Sequence, residues 1–278
     1  MTENAAYPTM VQTLSKVPAV TLGFWVIKVL ATTLGETGGD AVSMTWLGET
    51  TDQANGWGYL IGTGIFTVIL AVFVAAQIRA RKFKPWLYWA TIIASTTAGT
   101  TLADYFTRTV FKQTFGLNQT FAYLLASIVL LSFVLITLLI WRRALGTIDP
   151  GSIASPRAEL FYWVTITFSQ TLGTALGDWT VDSGFGYLGG AMIFGTALAL
   201  VALLYHERSR LSNVTLFWAA FILTRPLGAT VGDFLDKPLD KGGLALSRPI
   251  ASLALFGLIA ALIWLLPQRA GEHPGKRA

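Results

Sequence analysis

Apolar runs of membrane-crossing length recur along the whole chain, separated by short connections that are polar or basic. At about 1.5 Å per residue, a run of roughly 20 residues crosses a hydrocarbon core of about 30 Å, so each run predicts a transmembrane helix. The pattern places eight of them, at 17–39, 57–78, 85–104, 117–141, 159–179, 186–206, 213–234 and 244–266. The predicted fold class is an all-α membrane protein forming a single domain over 1–278, with the lipid bilayer as its principal partner.

Composition agrees with that pattern. Hydrophobic residues make up 53% and charged residues 13% of the 278 positions, against about a quarter charged in soluble domains. The net charge of +5 does not point to nucleic acid, because the basic residues sit in clusters between spans and not along one face. Without cysteine, disulfides and thiolate metal sites are excluded. Met1 to Ser15 lacks the pattern of a cleaved leader, and 267–278 is expected to be a disordered cytoplasmic tail.

Basic residues also predict orientation, since Lys and Arg are retained on the cytoplasmic side. One set of connections carries Lys16; Arg79, Arg81, Lys82 and Lys84; Arg142, Arg143 and Arg157; Arg208 and Arg210; and Arg269, Lys276 and Arg277. The opposite set holds Arg108, Lys112, Lys237, Lys241 and Arg248. Both termini are therefore expected in the cytoplasm of a bacterial cell, with the protein multi-pass in the inner membrane. Lys28 and Arg225 remain, and both fall inside spans.

Four segments align without gaps: Trp25 to Asp40, Trp89 to Asp104, Trp163 to Asp178 and Trp218 to Asp233. Each has Gly ten positions after Trp (Gly35, Gly99, Gly173, Gly228), followed four residues later by Gly39, Ala103, Gly177 or Gly232. Such small-residue spacing lets helix backbones approach closely. The repeat units, approximately 17–78, 85–141, 159–206 and 213–266, each contain two crossings, so all four copies enter the membrane in the same direction around a shared polar axis.

These Trp-to-Asp segments, above all Lys16 to Asp40, resemble the bacterial membrane proteins built from a repeated domain of unknown function 347. The resemblance covers most of the chain. It implies a repeat architecture and no established activity, so function is argued from the residues.

Positions three, seven, eleven and fifteen after each Trp are four apart and share one helix face. In the first unit that face reads Lys28, Thr32, Glu36, Asp40; in the second Ile92, Thr96, Thr100, Asp104. The third reads Ile166, Gln170, Thr174, Asp178, and the fourth Phe221, Arg225, Ala229, Asp233. Ionisable groups at membrane depth cost several kcal/mol unless paired or hydrated, and they face bundle interiors or aqueous cavities.

The candidate metal ligands are therefore Glu36, Asp40, Asp104, Asp178 and Asp233, with Lys28, Thr32, Thr96, Thr100, Gln170, Thr174 and Arg225 as supporting polar groups. Lys28 and Arg225 are expected as internal counter-ions to the acids. The alternative for each Asp is local: capping its loop, or pairing with a nearby base, as Asp104 with Arg108 and Asp233 with Lys237. Gly35–Gly39 and Pro226 also permit local unwinding. For Trp25, Trp89, Trp163 and Trp218, core packing is the simpler expectation than a constriction.

The stripe alone holds five carboxylates against two bases, a surplus that favours cations. Oxygen donors suit hard ions such as Mg²⁺, Mn²⁺ or Ca²⁺, and carboxylates in such settings also exchange protons. The expected function is a cation transporter, for a divalent metal ion as cargo and with proton coupling. A proton or cation channel and a non-transporting sensor or scaffold are the alternatives. An intramembrane enzyme is weaker, because nucleophile, metalloprotease and phosphate-loop motifs are missing. No resident cofactor is expected, and oligomeric state is left open.

Overall fold

The repeated Trp-to-Asp segments fold as helices whose starts are set by local chemistry. In a computed structural model that describes residues 15–52 and 54–271, the first helix, α1, spans Leu22–Asp40 and the second, α2, Trp57–Arg79. They are followed by α3 (Pro85–Asp104), α4 (Gln119–Leu145), α5 (Pro156–Thr180), α6 (Gly186–His206), α7 (Asn213–Asp236) and α8 (Arg248–Leu265). The Thr21, Ser155 and Ser212 hydroxyls accept from backbone N–H groups of the first turns of α1, α5 and α7. Proline opens α3 and α5, where its missing N–H would be unpaired in any case.

Their ends are less ordinary. Directly after Asp40 and Asp104 the helix widens into π-helical stretches, Ala41–Trp46 and Tyr105–Thr114, and Val181–Phe185 does the same after α5. Inserted π geometry frequently accompanies functional positions. The unwinding that Gly35–Gly39 and Pro226 permit does not occur: α1 and α7 run through these residues as continuous helix. In the α5–α6 passage the break is at Gly184, whose φ of 101° is open to glycine and costly for other residues.

Five helical runs are long and apolar enough to cross a membrane: Trp57–Arg79, Gln119–Leu145, the combined run Pro156–His206, Asn213–Asp236 and Arg248–Leu265. α1 and α3 are not among them. Their C-terminal halves, ATTLGETGGD and STTAGTTLAD, carry the polar stripe and little aliphatic surface.

These polar helices lie at the centre. α1 packs on α3, α3 on α5, α5 on α7, and α7 closes back onto α1, forming an inner ring of four. The outer helices are handed on to the next repeat: α2 packs mainly on α3, α4 on α5, α6 on α7, and α8 on α1. The two helices of one repeat are thus not each other's main partners, and the closing contact of α8 on α1 ties the two ends of the chain together.

The repeated spacing of the glycines has a direct role in the ring. A Cβ on Gly35 would overlap Thr96, and the same relation joins Gly99 to Gln170, Gly173 to Arg225 and Gly228 to Thr32. In every case the tenth residue of one segment meets the seventh residue of the next. Equivalent positions therefore lie at equivalent heights, and all four inner helices run in the same direction. In lipid, where apolar surface gains nothing by leaving water, close backbone packing of this sort supplies the adhesion.

At the Trp end of the ring, Trp89, Trp163 and Trp218 are buried with Tyr88, Tyr162, Phe217 and Phe221 in one core, and Trp25 packs partly buried against it. The Tyr88 and Tyr162 hydroxyls meet at 2.6 Å. Packing is thus the role of these tryptophans. Residues 15–19 strap this end: Lys16 Nζ lies 2.6 Å from Glu159, and Gly271 N donates to Val17 O at 2.8 Å. The expected free tail from 267 is corrected accordingly, since backbone pairing orders it through Gly271. Residues 272–278 lie outside the described residues.

Candidate functional site

Each inner helix delivers its eleventh and fifteenth residues to the other end of the ring. Glu36, Asp40, Asp104, Asp178 and Asp233 are all buried there. Glu36 sits at the eleventh position, level with Thr100 and Thr174, whereas the matching residue of α7 is Ala229. That small side chain leaves room for Arg225, one turn earlier on the same helix. Its Nη2 lies 2.9 Å from Glu36 Oε2, donates to Thr100 Oγ1 at 2.6 Å and also donates to Thr174 Oγ1. Thr100 in turn donates to Gly35 O at 3.0 Å.

One turn further on, the aspartates are joined in two pairs, each by one base from a following segment. Lys237 Nζ lies 2.6 Å from Asp40 and 2.7 Å from Asp233, with Asp236 at 3.5 Å. Arg108 Nε lies 2.6 Å from Asp104, and its Nη2 lies 3.5 Å from Asp178. Arg248 completes the first group at 3.1 Å from Asp236. The local pairings Asp104–Arg108 and Asp233–Lys237 are thus present, and both extend across helices. Burial alone would pull the Lys237 ammonium down, but Asp233, Asp40 and Asp236 outweigh it and hold its pKa well above the ordinary lysine range.

Two triads of carboxylates bring ligand oxygens within 4.8 Å of one another: Glu36, Asp178 and Asp233, and Asp40, Asp233 and Asp236. The second coincides with the group around the Lys237 ammonium. In the first, each acid is paired with a different base: Glu36 with Arg225, Asp178 with Arg108 and Asp233 with Lys237. A cavity of about 790 Å³ opens over this region, with Asp178, Asp233 and Asp236 in its wall. Arg108, Lys112, Lys237, Lys241 and Arg248, the whole basic complement of this side, also line it.

The sequence stripe therefore identified the acids and Arg225 but not the full charge pattern. Asp236 and Arg248 lie off the stripe; the available signal for Asp236 was its spacing of three residues from Asp233 on one helix. Six carboxylates meet four bases here, so the surplus inferred from the stripe alone is reduced. Lys28 is not a counter-ion to the acids: its buried Nζ lies over the Phe221 ring, 4.2 Å from the centroid, and forms no ion pair among the described residues. Thr32 donates to Thr224 O at 3.0 Å. Gln170 and Thr96 point no polar atom at any hydrogen-bond partner among the described residues.

The family described as "Repeat of Unknown Function (DUF347)" matches the chain four times, at residues 23–83, 87–147, 161–210 and 216–269. The chain belongs to this family. Each DUF347 match takes in one inner helix and the outer helix that follows it, so the family repeat is the sequence unit while packing partners are drawn from consecutive repeats. Neither curated proteins nor solved structures give a match to this chain.

Proposed function

We propose that this DUF347 protein is an eight-crossing transporter of the bacterial inner membrane, with both termini cytoplasmic, that moves a hard divalent cation through the axis of its inner ring. The observation that carries this reading is the convergence of Glu36, Asp178 and Asp233 oxygens within 4.8 Å beside an open cavity. Asp40 and Asp104 are the reserve ligands.

The dimensions support a hard ion. Oxygens on opposite sides of Ca²⁺ are about 5 Å apart and those across Mg²⁺ about 4 Å, and the triad's oxygens, all within 4.8 Å of one another, are close enough to share one such ion. Carboxylate and hydroxyl donors favour Mg²⁺, Mn²⁺ or Ca²⁺ over softer metals. The carboxylates give a route to coupling. An arriving dication competes with Arg225, Arg108 and Lys237 for them, and an acid that carries a proton before the ion arrives releases it on ligation and regains it when the ion leaves.

A transporter is favoured over an open channel by a specific contrast between the ends of the ring. The Asp end carries the cavity, whereas beneath it Arg225 bonds Glu36 and the aromatic core packs the Trp end. That arrangement is open on one side and closed on the other, as alternating access requires of one of its states. The test is uptake and equilibrium binding of Mn²⁺ and Ca²⁺ in reconstituted vesicles, for the natural chain and for Glu36→Gln and Asp233→Asn. Saturable flux lost in both variants is expected; flux that survives in both removes the site. A transmembrane pH gradient that leaves flux unchanged removes proton coupling.

A further inference from the structure

Below the carboxylates, the axis of the ring changes sign. Lys28 and Arg225 are fully buried, and neither has a complete set of partners. Lys28 Nζ makes no hydrogen bond among the described residues, and Arg225, which engages Glu36 through Nη2, leaves Nε and Nη1 without partners. At the same height as Arg225, the Gln170 amide is unpartnered at both its nitrogen and its oxygen, and so is Thr96 Oγ1.

These atoms belong to one place. Thr96, Gln170 and Arg225 are the seventh residues of their segments, which the glycine contacts set at one level of the ring. Lys28 is a third-position residue lying on the Phe221 ring, and Phe221 is one turn, about 6 Å along the axis, before Arg225. Two basic side chains on neighbouring inner helices therefore lie at adjacent levels of the ring, with an amide and a hydroxyl at the level of Arg225, while Arg225 Nη2 is engaged by Glu36.

Buried donors without acceptors are costly, and buried charge without compensation is costlier still. The face of Phe221 relieves Lys28 only in part. The unmet groups are mainly donors: an ammonium, two guanidinium N–H directions, an amide NH₂ and a hydroxyl. A species that accepts from several of them at once and carries negative charge answers the whole set, whereas water supplies hydrogen bonds and no charge.

We propose that Lys28, Arg225, Gln170 and Thr96 form an occluded binding site for a small monovalent anion, chloride or another halide, on the axis beneath the cation site. The anion separates and neutralises the two bases. It shares Arg225 with the carboxylate triad through Glu36, but anion binding does not depend on cation transport being the protein's function.

The test is equilibrium binding of radiolabelled chloride to the purified full chain in nanodiscs, with gluconate as the replacement anion, alongside thermal unfolding in the two salts. Saturable binding near one chloride per chain is expected, with a higher unfolding temperature in chloride than in gluconate. Lys28→Met is expected to weaken binding about ten- to hundredfold, the equivalent of one charged hydrogen bond, while Mn²⁺ or Ca²⁺ binding at the carboxylates persists. Gln170→Leu, which keeps both charges, provides a second variant and is expected to weaken chloride less. Absence of saturable chloride binding in the natural chain overturns the proposal, as does binding unchanged in both variants. Loss of cation flux from Glu36→Gln with chloride binding retained would bear only on the cation site.

Discussion

Arg225 Nη2 lies 2.9 Å from Glu36 Oε2, joining residues that hold different positions in their repeats. The pair departs from fourfold equivalence at a ring otherwise built from matching contacts. Three of the four eleventh-position residues meet at Nη2, and the fourth, Ala229, is small enough to let the guanidinium pass. A ring of identical residues would give a symmetric pore; this exchange of Ala for a polar group and of Arg for a neutral one places a single charged crossbar on the axis.

Breaking the crossbar on one side should be worse than removing it. Both members are buried, so Arg225→Met leaves the Glu36 carboxylate without its base, a loss on the order of 3–5 kcal/mol for a buried pair. The double variant Arg225→Met with Glu36→Gln should recover much of that loss. Unfolding by denaturing detergent, with the four proteins arranged as a double-mutant cycle, checks this; additive effects of the two substitutions would contradict the pairing.

Much of this ring was legible in the sequence, because Trp-to-Asp spacing is gapless and a four-residue period fixes one helix face. Glu36, Thr100, Thr174 and Arg225 fell on the stripe and meet on the axis. What the stripe does not encode is the relation between helices. Whether Lys28 reaches a carboxylate depends on the rotation of α1 against α7, and that rotation sets it on Phe221. The handing of each outer helix to the next repeat is likewise a property of packing, since short connections between consecutive helices suggest the opposite pairing. Asp236 and Arg248 enter through the α7 end and the α8 start, outside the aligned Trp-to-Asp segments. The ordering of 268–271 rests on backbone hydrogen bonds, to which side-chain pattern is blind.

Lys237 holds a place that a cation could take. Its ammonium is within 3.5 Å of Asp40, Asp233 and Asp236, which also form one of the two carboxylate triads. Lys237→Met should expose that triad, raise the measured stoichiometry of Ca²⁺ or Mn²⁺ from one ion to two, and lower stability in the absence of divalent ions. Because the folded pKa of Lys237 is raised, its contribution to stability is present below the unfolded value of about 10.4 and is lost only as pH climbs through the folded value. Isothermal titration near neutral pH reads the stoichiometry and thermal unfolding without divalent ions reads the stability, and an unchanged stoichiometry in Lys237→Met would count against the surrogate role.

The ring glycines make a sharper prediction than glycine content does. At Gly173 a methyl group would overlap the Arg225 side chain and come within 3.0 Å of the Pro226 backbone nitrogen. Gly173→Ala should therefore destabilise the chain by about 1–3 kcal/mol, the range for overpacking, and disturb the crossbar. Gly64 and Gly257 lie inside α2 and α8 with nothing within 4 Å of an added Cβ. Alanine at those two sites should be neutral or stabilising by about 0.5–1 kcal/mol, from helix propensity alone. Thermal unfolding of the three variants in one detergent compares them directly.

The two ends of α4 supply a test of the proposed orientation that leaves every charge in place. Gln113, in the π-helical stretch before α4, and Thr147, just after it, are both exposed and uncharged. The chain contains no cysteine, so Gln113→Cys and Thr147→Cys each introduce a single thiol without a background. If Lys and Arg have retained the Arg142–Arg143 side in the cytoplasm, a membrane-impermeant maleimide added to intact cells whose outer membrane has been permeabilised should label position 113 and not 147. Inverted vesicles should reverse that result. Labelling of both positions from one side would mean that α4 does not cross, and the eight-crossing arrangement would fall with it.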